Sequence, residues 1–315
     1  MCGIVGYIGK NEAAPVLIDG LKRLEYRGYD SAGVTIYEQG RLNTRKMVGR
    51  LIKVEEDLKA KPIHGSLGIG HTRWATHGRP SDSNAHPHQD CSKKFSVVHN
   101  GIIENYISLK EDLQKKGHIF NSETDTEVLP HLIEEFYQGD PVVAVRQTLT
   151  KIEGAYAMVV VCQDFPDRLV VARKSSPLII GIGKGENYVA SDIPAVLPYT
   201  REIFILEDGE MATVTADQVE VTTFTGQPVD KKPYHVQWDI EAAEKGGYED
   251  FMLKEIHEQP RAVRDTLAGK IDRETKTVNL PEVHLTPEFI KQLKKVHVVA
   301  CGTAYHAGLV GKYLI

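Results

Sequence analysis

A cysteine in second position can do chemistry that most cysteines cannot. In Met1-Cys2-Gly3-Ile4, removal of Met1 by an aminopeptidase leaves one residue with both a thiol and a free α-amine. That amine titrates at about 7.7–8.0, so at neutral pH a useful fraction is unprotonated and accepts the thiol proton with no separate histidine. The other reading of Cys2 is an inert small hydrophobe. Against it, Cys2-Gly-Ile-Val-Gly-Tyr-Ile-Gly9 is a glycine-punctuated apolar run that reads as a buried strand holding the terminus down. A glycine after the cysteine also lets a ligand or another backbone come close.

Three more stretches carry reactive or charged side chains. His71-Thr-Arg-Trp-Ala-Thr-His-Gly78 follows the strand-like Ser66-Leu-Gly-Ile-Gly70. Arginine, threonines and histidines at a strand end are poor core material, because each needs hydrogen-bond partners if buried. Arg73 has the planar fork that suits a carboxylate, while Trp74 reads either as a lid or as a core aromatic. Next, Phe95-Ser-Val-Val98 delivers His99-Asn100-Gly101. An asparagine amide beside an unobstructed glycine N–H supplies the parts of an oxyanion hole; Asn-Gly is also a hairpin signal, but a helix-like pattern from Ile102 to Lys116 speaks against the hairpin. Finally, Asn121-Ser-Glu-Thr-Asp125-Thr126 precedes the helical stripe Val128, Leu129, Leu132, Ile133, so Asp125 either caps that helix or faces a substrate ammonium. Arg27, in the polar turn Tyr26–Gly33, is a surface arginine or one turned back toward the terminus. His86-Pro-His88-Gln-Asp-Cys91 gathers nitrogen and sulfur ligands in one loop, yet no second cluster closes a tetrahedral set, and no metal is expected.

The elements that position these groups are readable from periodicity. Asn11 to Leu24 has apolar residues at helical spacing, with a possible cap at Asn11; Leu51 to Leu58 and Pro141 to Ile152 are also helical. From Ala155 the pattern turns to short strand-like runs with hairpin-spaced turns: 156–161, 168–171, 178–181, 188–190 and 202–206, then a hairpin over 210–224. Gly181-Ile-Gly183-Lys-Gly185 lacks a following helix and reads as a hairpin loop, not a dinucleotide fingerprint. Residues 226–233 look like a boundary, 248–268 a helix. Val296-His-Val-Val-Ala300 reads as a buried parallel strand entering a helix through Cys301-Gly-Thr303, a place for a phosphate at Thr303.

At 315 residues, 41% hydrophobic and 26% charged, the composition is that of a soluble two-domain chain. A net charge of −5 offers no basic field for nucleic acid, and no apolar run approaches a membrane span. Four cysteines without framework spacing and no basic-apolar leader point to reduced thiols in the cytoplasm.

Together, Met1–Gly9, Leu24–Gly33, Gly70–Gly78, His99–Glu104 and Ser122–Thr126 resemble the class II glutamine amidotransferase domain of the glutamine–fructose-6-phosphate aminotransferase family; Gly247–Pro260 resembles its linker helix and Cys301–Ala307 the opening of its sugar-isomerase domain. The resemblance implies an α+β fold. Residues 1–225 would form a four-layer αββα N-terminal-nucleophile hydrolase sandwich and 226–247 a linker. Residues 248–315 would be the incomplete start of an α/β sugar-isomerase domain. It implies that Cys2 is the nucleophile, with Asn100 and Gly101 as oxyanion hole. Arg73, Thr76, His77 and Asp125 would position L-glutamine, Trp74 would gate an ammonia path and Arg27 would orient the terminus. The family's full-length, oligomeric enzymes pass ammonia to fructose 6-phosphate, giving glucosamine 6-phosphate without a cofactor. Glutaminase chemistry alone is expected of this chain. Another class II amidotransferase, such as an amidophosphoribosyltransferase, would share the glutaminase half. A binding or regulatory module with Met1 retained is the non-enzymatic alternative.

Overall fold

The computed structural model of the chain describes residues 2–237, 248, 251–272, 275, 277–278, 283 and 286–314. Contacts divide it into two units, Met1–Gly247 and Tyr248–Ile315.

In chain order the first unit holds β1 (Gly3–Ile8), α1 (Ala13–Leu24), β2 (Ser31–Glu38), β3 (Arg41–Val48), α2 (Ile52–Ala60), β4 (Leu67–Arg73), β5 (His88–Gln89), β6 (Phe95–Ile103), α3 (Tyr106–Lys115), α4 (Val128–Phe136) and α5 (Pro141–Leu149). The strands β7 (Gly154–Cys162), β8 (Phe165–Lys174), β9 (Ile179–Ile182), β10 (Asn187–Ala190), β11 (Glu202–Ile205), β12 (Glu210–Val214), β13 (Val219–Thr223) and β14 (Tyr234–His235) follow. Two antiparallel sheets result, with strand orders β14-β11-β9-β10-β1-β4-β2-β3 and β13-β12-β8-β7-β6-β5. Tyr234 and His235, within the stretch expected to be a linker, are thus an edge strand of the first sheet.

Three apolar layers explain why the sheets stack. Because side chains alternate along a strand, Ile4 and Ile8 of β1 meet Ala157, Val159 and Val161 of β7 between the sheets. Val5 and Tyr7 point the other way, under α1 and α2. Tyr156, Met158 and Val160 likewise face α3, α4 and α5. Helix, sheet, sheet, helix is therefore the order of layers. The helical spacing of Val16, Leu17, Leu21 and Leu24 places all four in the first of these cores. A polar link crosses the middle one: Thr35 Oγ1 of β2 lies 2.8 Å from Ser96 Oγ of β6, both buried.

Two local expectations are corrected. The helix expected from Ile102 begins at Tyr106, because β6 continues to pair with β7 through Ile103, opposite Gly154. Nine residues of ladder outweigh local helix propensity. Asn11 does not cap α1; its side-chain amide donates to Glu186 at 2.8 Å, and Glu12 takes the N-cap position without a side-chain bond.

The second unit holds α6 (Phe251–Leu267), a two-stranded ribbon of β15 (Ile271–Asp272) and β16 (Thr277–Val278), α7 (Pro287–Gln292) and α8 (Gly302–Leu314). Arg261 Nη2 lies 3.3 Å from Glu258 Oε1 on α6, an i, i+3 ion pair along its surface. Residues 296–300 are not a buried strand: they join no ladder among the described residues, and Val299 is 97% exposed. A strand needs a neighbour to take up its backbone groups, and the described residues of this unit supply none there. The helix expected after Cys301 is present.

Ile69 of β4 is wholly buried between the sheets. Ile69→Ala should therefore cost about 2–5 kcal/mol of stability, measured as a lower urea midpoint at unchanged slope. A loss under about 1 kcal/mol would mean that the intersheet layer is not a closely packed core.

Candidate active site

The strand pairing that builds the first sheet also assembles the site. Gly3 lies opposite Thr72 and Ile4 opposite His71 in the β1–β4 ladder, so Cys2 emerges beside Arg73 and Trp74. The Trp74 backbone N–H donates to Cys2 Sγ at 3.1 Å. Asn100 Nδ2 donates to the Cys2 carbonyl at 2.9 Å. A cavity of about 310 Å³ opens there, lined by Cys2, Arg27, Arg73, Trp74, Thr76, Asn100, Gly101 and Asp125 among others. This is the low end of the range of roughly 300–1,000 Å³ for small-molecule sites.

Each polar group is held by a second contact. Arg73 Nη2 donates to the carbonyls of His77 and Gly78, whereas its buried Nη1 has no hydrogen-bond partner among the described residues. An unpaired guanidinium nitrogen beside a cavity is suited to an incoming carboxylate. Asp125 does not cap α4; its Oδ2 accepts from the Ile103 N–H at 2.8 Å, and α4 has no side-chain cap. Its neighbours are held separately, Thr124 by His88 Nε2 at 3.1 Å and Thr126 by His99 Nδ1 at 2.9 Å. Gly101 sits within β6 at φ +131°, and a Cβ there would come within 1.9 Å of the Ala155 carbonyl, so no other residue fits. Gly28 permits a second close approach: a Cβ there would lie 2.6 Å from the Arg73 carbonyl carbon.

Of the other expected site residues, Arg27 reaches the cavity wall while its guanidinium pairs with Asp192. The Trp74 ring is 46% exposed and meets Tyr29 edge-on at 5.3 Å, which makes it a rim residue and not a core aromatic. His77 does not line the cavity; its ring packs against Tyr106 at 5.6 Å and its carbonyl holds Arg73. Thr303 is an exposed residue of α8 in the second unit. Ile102, Ser176 and Pro177 also line the cavity. The last two come from the β8–β9 connection, and nothing in their local pattern signals it.

The histidines are the larger surprise. His71 Nε2 lies 3.0 Å from Asn100 Oδ1 and 3.1 Å from the His99 carbonyl, two acceptors, so Nε2 carries the proton. His71 thereby fixes which end of the Asn100 amide faces Cys2. His71 stacks on His86 at 4.1 Å, and His86 Nδ1 accepts from the His99 N–H at 3.4 Å. Burial pulls His71 down to about 3 and lowers His86, His88 and His99 as well. They remain neutral hydrogen-bonding groups at neutral pH. Burial also raises the Cys2 thiol, opposed by the Trp74 N–H and by positive charge that includes Arg73. The resting sulfur is a thiol that needs a base.

The four depressed histidines set a direction for pH. Their neutral folded forms stabilise the protein fully above the unfolded value of about 6.5, and that stability is lost as pH falls below it. For His71 the loss continues to about 3. The urea midpoint should therefore drop between pH 7 and pH 5, with net proton uptake on unfolding. A midpoint unchanged over that interval would show that these rings are not buried as neutral groups.

Known proteins resemble this chain in both sequence and fold. The family profile described as a glutamine amidotransferase domain matches residues 71–198. Curated glutamine–fructose-6-phosphate aminotransferases match the entire chain: that of Symbiobacterium thermophilum is 58% identical, that of Clostridium tetani 55% and that of Aquifex aeolicus 51%. In each case this chain spans 52% of the relative's length. Among solved structures, the glutamine phosphoribosylpyrophosphate amidotransferase of B. subtilis, solved with ADP and GMP, superposes with a TM-score of 0.62 at 28% identity, over 71% of this chain and 49% of that one. A class II glutamine aminotransferase domain protein from Silicibacter pomeroyi, at 17% identity and TM-score 0.50, shares the fold over 71% of this chain and 99% of its own. The layered first unit is thus an N-terminal-nucleophile hydrolase fold of the class II amidotransferase kind, and over its whole length the chain matches the N-terminal half of curated glutamine–fructose-6-phosphate aminotransferases.

Proposed function

We propose that this chain is a glutaminase whose nucleophile is Cys2, and that it forms the glutamine-hydrolysing half of an enzyme that makes glucosamine 6-phosphate from fructose 6-phosphate. The observation that carries the reading is the sharing of one cavity by the Cys2 thiol, the unpaired Nη1 of Arg73 and the Asp125 carboxylate. Glutamine presents the complements: an amide, a carboxylate and an ammonium. With Met1 removed, the α-amine of Cys2 takes the thiol proton, and the thiolate attacks the side-chain amide carbon. Negative charge moves to the amide oxygen. One N–H of Asn100 Nδ2 is engaged by the Cys2 carbonyl; the second, with the Gly101 N–H, stabilises the oxyanion. The protonated amine returns its proton to the leaving nitrogen, ammonia departs and a glutamyl thioester remains. Water activated by the same amine attacks it, freeing glutamate and the thiol.

In this reading Arg73 binds the substrate carboxylate and Asp125 its ammonium, with Thr76 completing the wall. His77 contributes through the carbonyl that fixes Arg73. Trp74 gates the exit of ammonia at the rim, and Arg27 supports the same mouth through Asp192. Sugar binding, including a phosphate at Thr303, belongs to the full-length protein, which we place in the cytoplasm as a homo-oligomer with no nucleic-acid or membrane partner. Among the described residues no helix is long and apolar enough to cross a membrane.

Two measurements test this reading. Intact mass and peptide mapping after treatment with a glutamine-mimicking diazoketone should give a chain lacking Met1 with one adduct on Cys2, suppressed by excess glutamine. Retained Met1, or a processed but unlabelled Cys2, would contradict it. Asn100→Ala should lower the glutaminase kcat about 10²–10³-fold, measured as glutamate release; a kcat within a few-fold of the parent would remove Asn100 from the oxyanion site.

A further inference from the structure

Four potential metal ligands converge at the far end of the second sheet's helical layer. Cys91 lies in the turn between β5 and β6, His118 just beyond α3, and His131 and Glu134 one turn apart on α4. Cys91 Sγ is 3.6 Å from His131 Nδ1 and 3.9 Å from His118 Nδ1. Glu134 Oε2 is 3.2 Å from His118 Nδ1 and 3.7 Å from His131 Nδ1. All four ligand atoms lie within 4.8 Å of one another. Zinc bonds of about 2.0–2.3 Å in a tetrahedron place neighbouring ligand atoms roughly 3.3–3.8 Å apart, close to the separations found here.

The surroundings match a metal site as well. His118 turns its other nitrogen toward a carboxylate, Nε2 lying 3.2 Å from Glu135 Oε2, while His131 Nε2 lies 3.9 Å from Glu127 Oε1, beyond hydrogen-bond distance. The Glu135 partner holds the His118 ring proton away from Nδ1 and leaves its lone pair for a cation. The Ile119 N–H donates to Cys91 Sγ at 3.3 Å, and the backbone N–H groups of Cys91 and Ser92 fix the Glu134 carboxylate. Histidine–glutamate ion pairing explains the imidazole–carboxylate contacts. It does not explain why a sulfur sits within reach of both Nδ1 atoms. Thiolate plus carboxylate also neutralises a divalent charge.

We propose that Cys91, His118, His131 and Glu134 bind one zinc ion. With four protein ligands the site is closed, hence structural and not catalytic; none of the four lines the Cys2 cavity. The ion ties the β5–β6 turn, the segment after α3 and the helix α4, adding to the hydrogen bonds and ion pairs that already join these three pieces of chain. A loop-by-loop search of the sequence pairs Cys91 with His86 and His88; the actual companions are 27 to 43 residues away.

The test is Co²⁺ titration of the chelator-treated, reduced 315-residue chain. Tetrahedral d–d bands and a thiolate-to-cobalt charge-transfer band should saturate at about one equivalent, vanish on adding Zn²⁺, and lose the charge-transfer component in Cys91→Ser. Zn²⁺ should raise the melting temperature of the parent and leave that of Cys91→Ser unmoved. Should Cys91→Ser fail to fold, Glu135→Gln is the second variant: it should keep the band and weaken Co²⁺ binding about 10–100-fold. An octahedral spectrum, a thiolate band that survives Cys91→Ser, or affinity unchanged in Glu135→Gln would overturn the proposal.

Discussion

The register of a single pair of strands decides whether this molecule has a site at all. With Gly3 opposite Thr72, Cys2 projects beyond the ladder next to Trp74, whose backbone N–H meets the sulfur. A slip of one residue would turn every side chain of β1 to the other face, burying Val5 and Tyr7 between the sheets and pushing Ile4 and Ile8 under α1. The three apolar layers forbid that exchange, so the core enforces the position of the nucleophile.

The second sheet meets this arrangement through Asn100. Its amide is gripped at both ends, Oδ1 by the proton on His71 Nε2 and Nδ2 by the Cys2 carbonyl. A flipped amide would set two donors against each other at one end and two acceptors at the other, so its orientation has one solution. The neutral state of His71 and its stacked neighbours follows from burial. A charged imidazole would strengthen one contact at the expense of the dry interior that keeps the two sheets together.

Much of this was legible in residue order, because the relevant patterns are local. The stripe of Val16, Leu17, Leu21 and Leu24, the alternation along residues 156–161, and the polar runs at 71–78 and 99–101 each announce an element or a wall of the cavity. Less legible were contacts made across the fold. Ile102 and Ile103 belong to a strand because β7 lies beside them, and residues 296–300 have no such neighbour among the described residues of their unit; neither fact is visible within a few residues. Arg27 has its carboxylate at Asp192, 165 positions away. His71 stood in view among the polar residues, but its proton donor role depends on Asn100 from another sheet.

The margins of the two sheets carry a consequence for how copies of this chain meet in solution. Each sheet ends on one side in a strand of only two residues, β14 and β5, too short to template a foreign strand. The long margin of the first sheet, β3, carries Arg41, Arg45 and Lys46, and charged side chains on an edge discourage pairing with another chain. At these three margins, the sandwich that leaves a mouth open for a small molecule presents few backbone groups to aggregation.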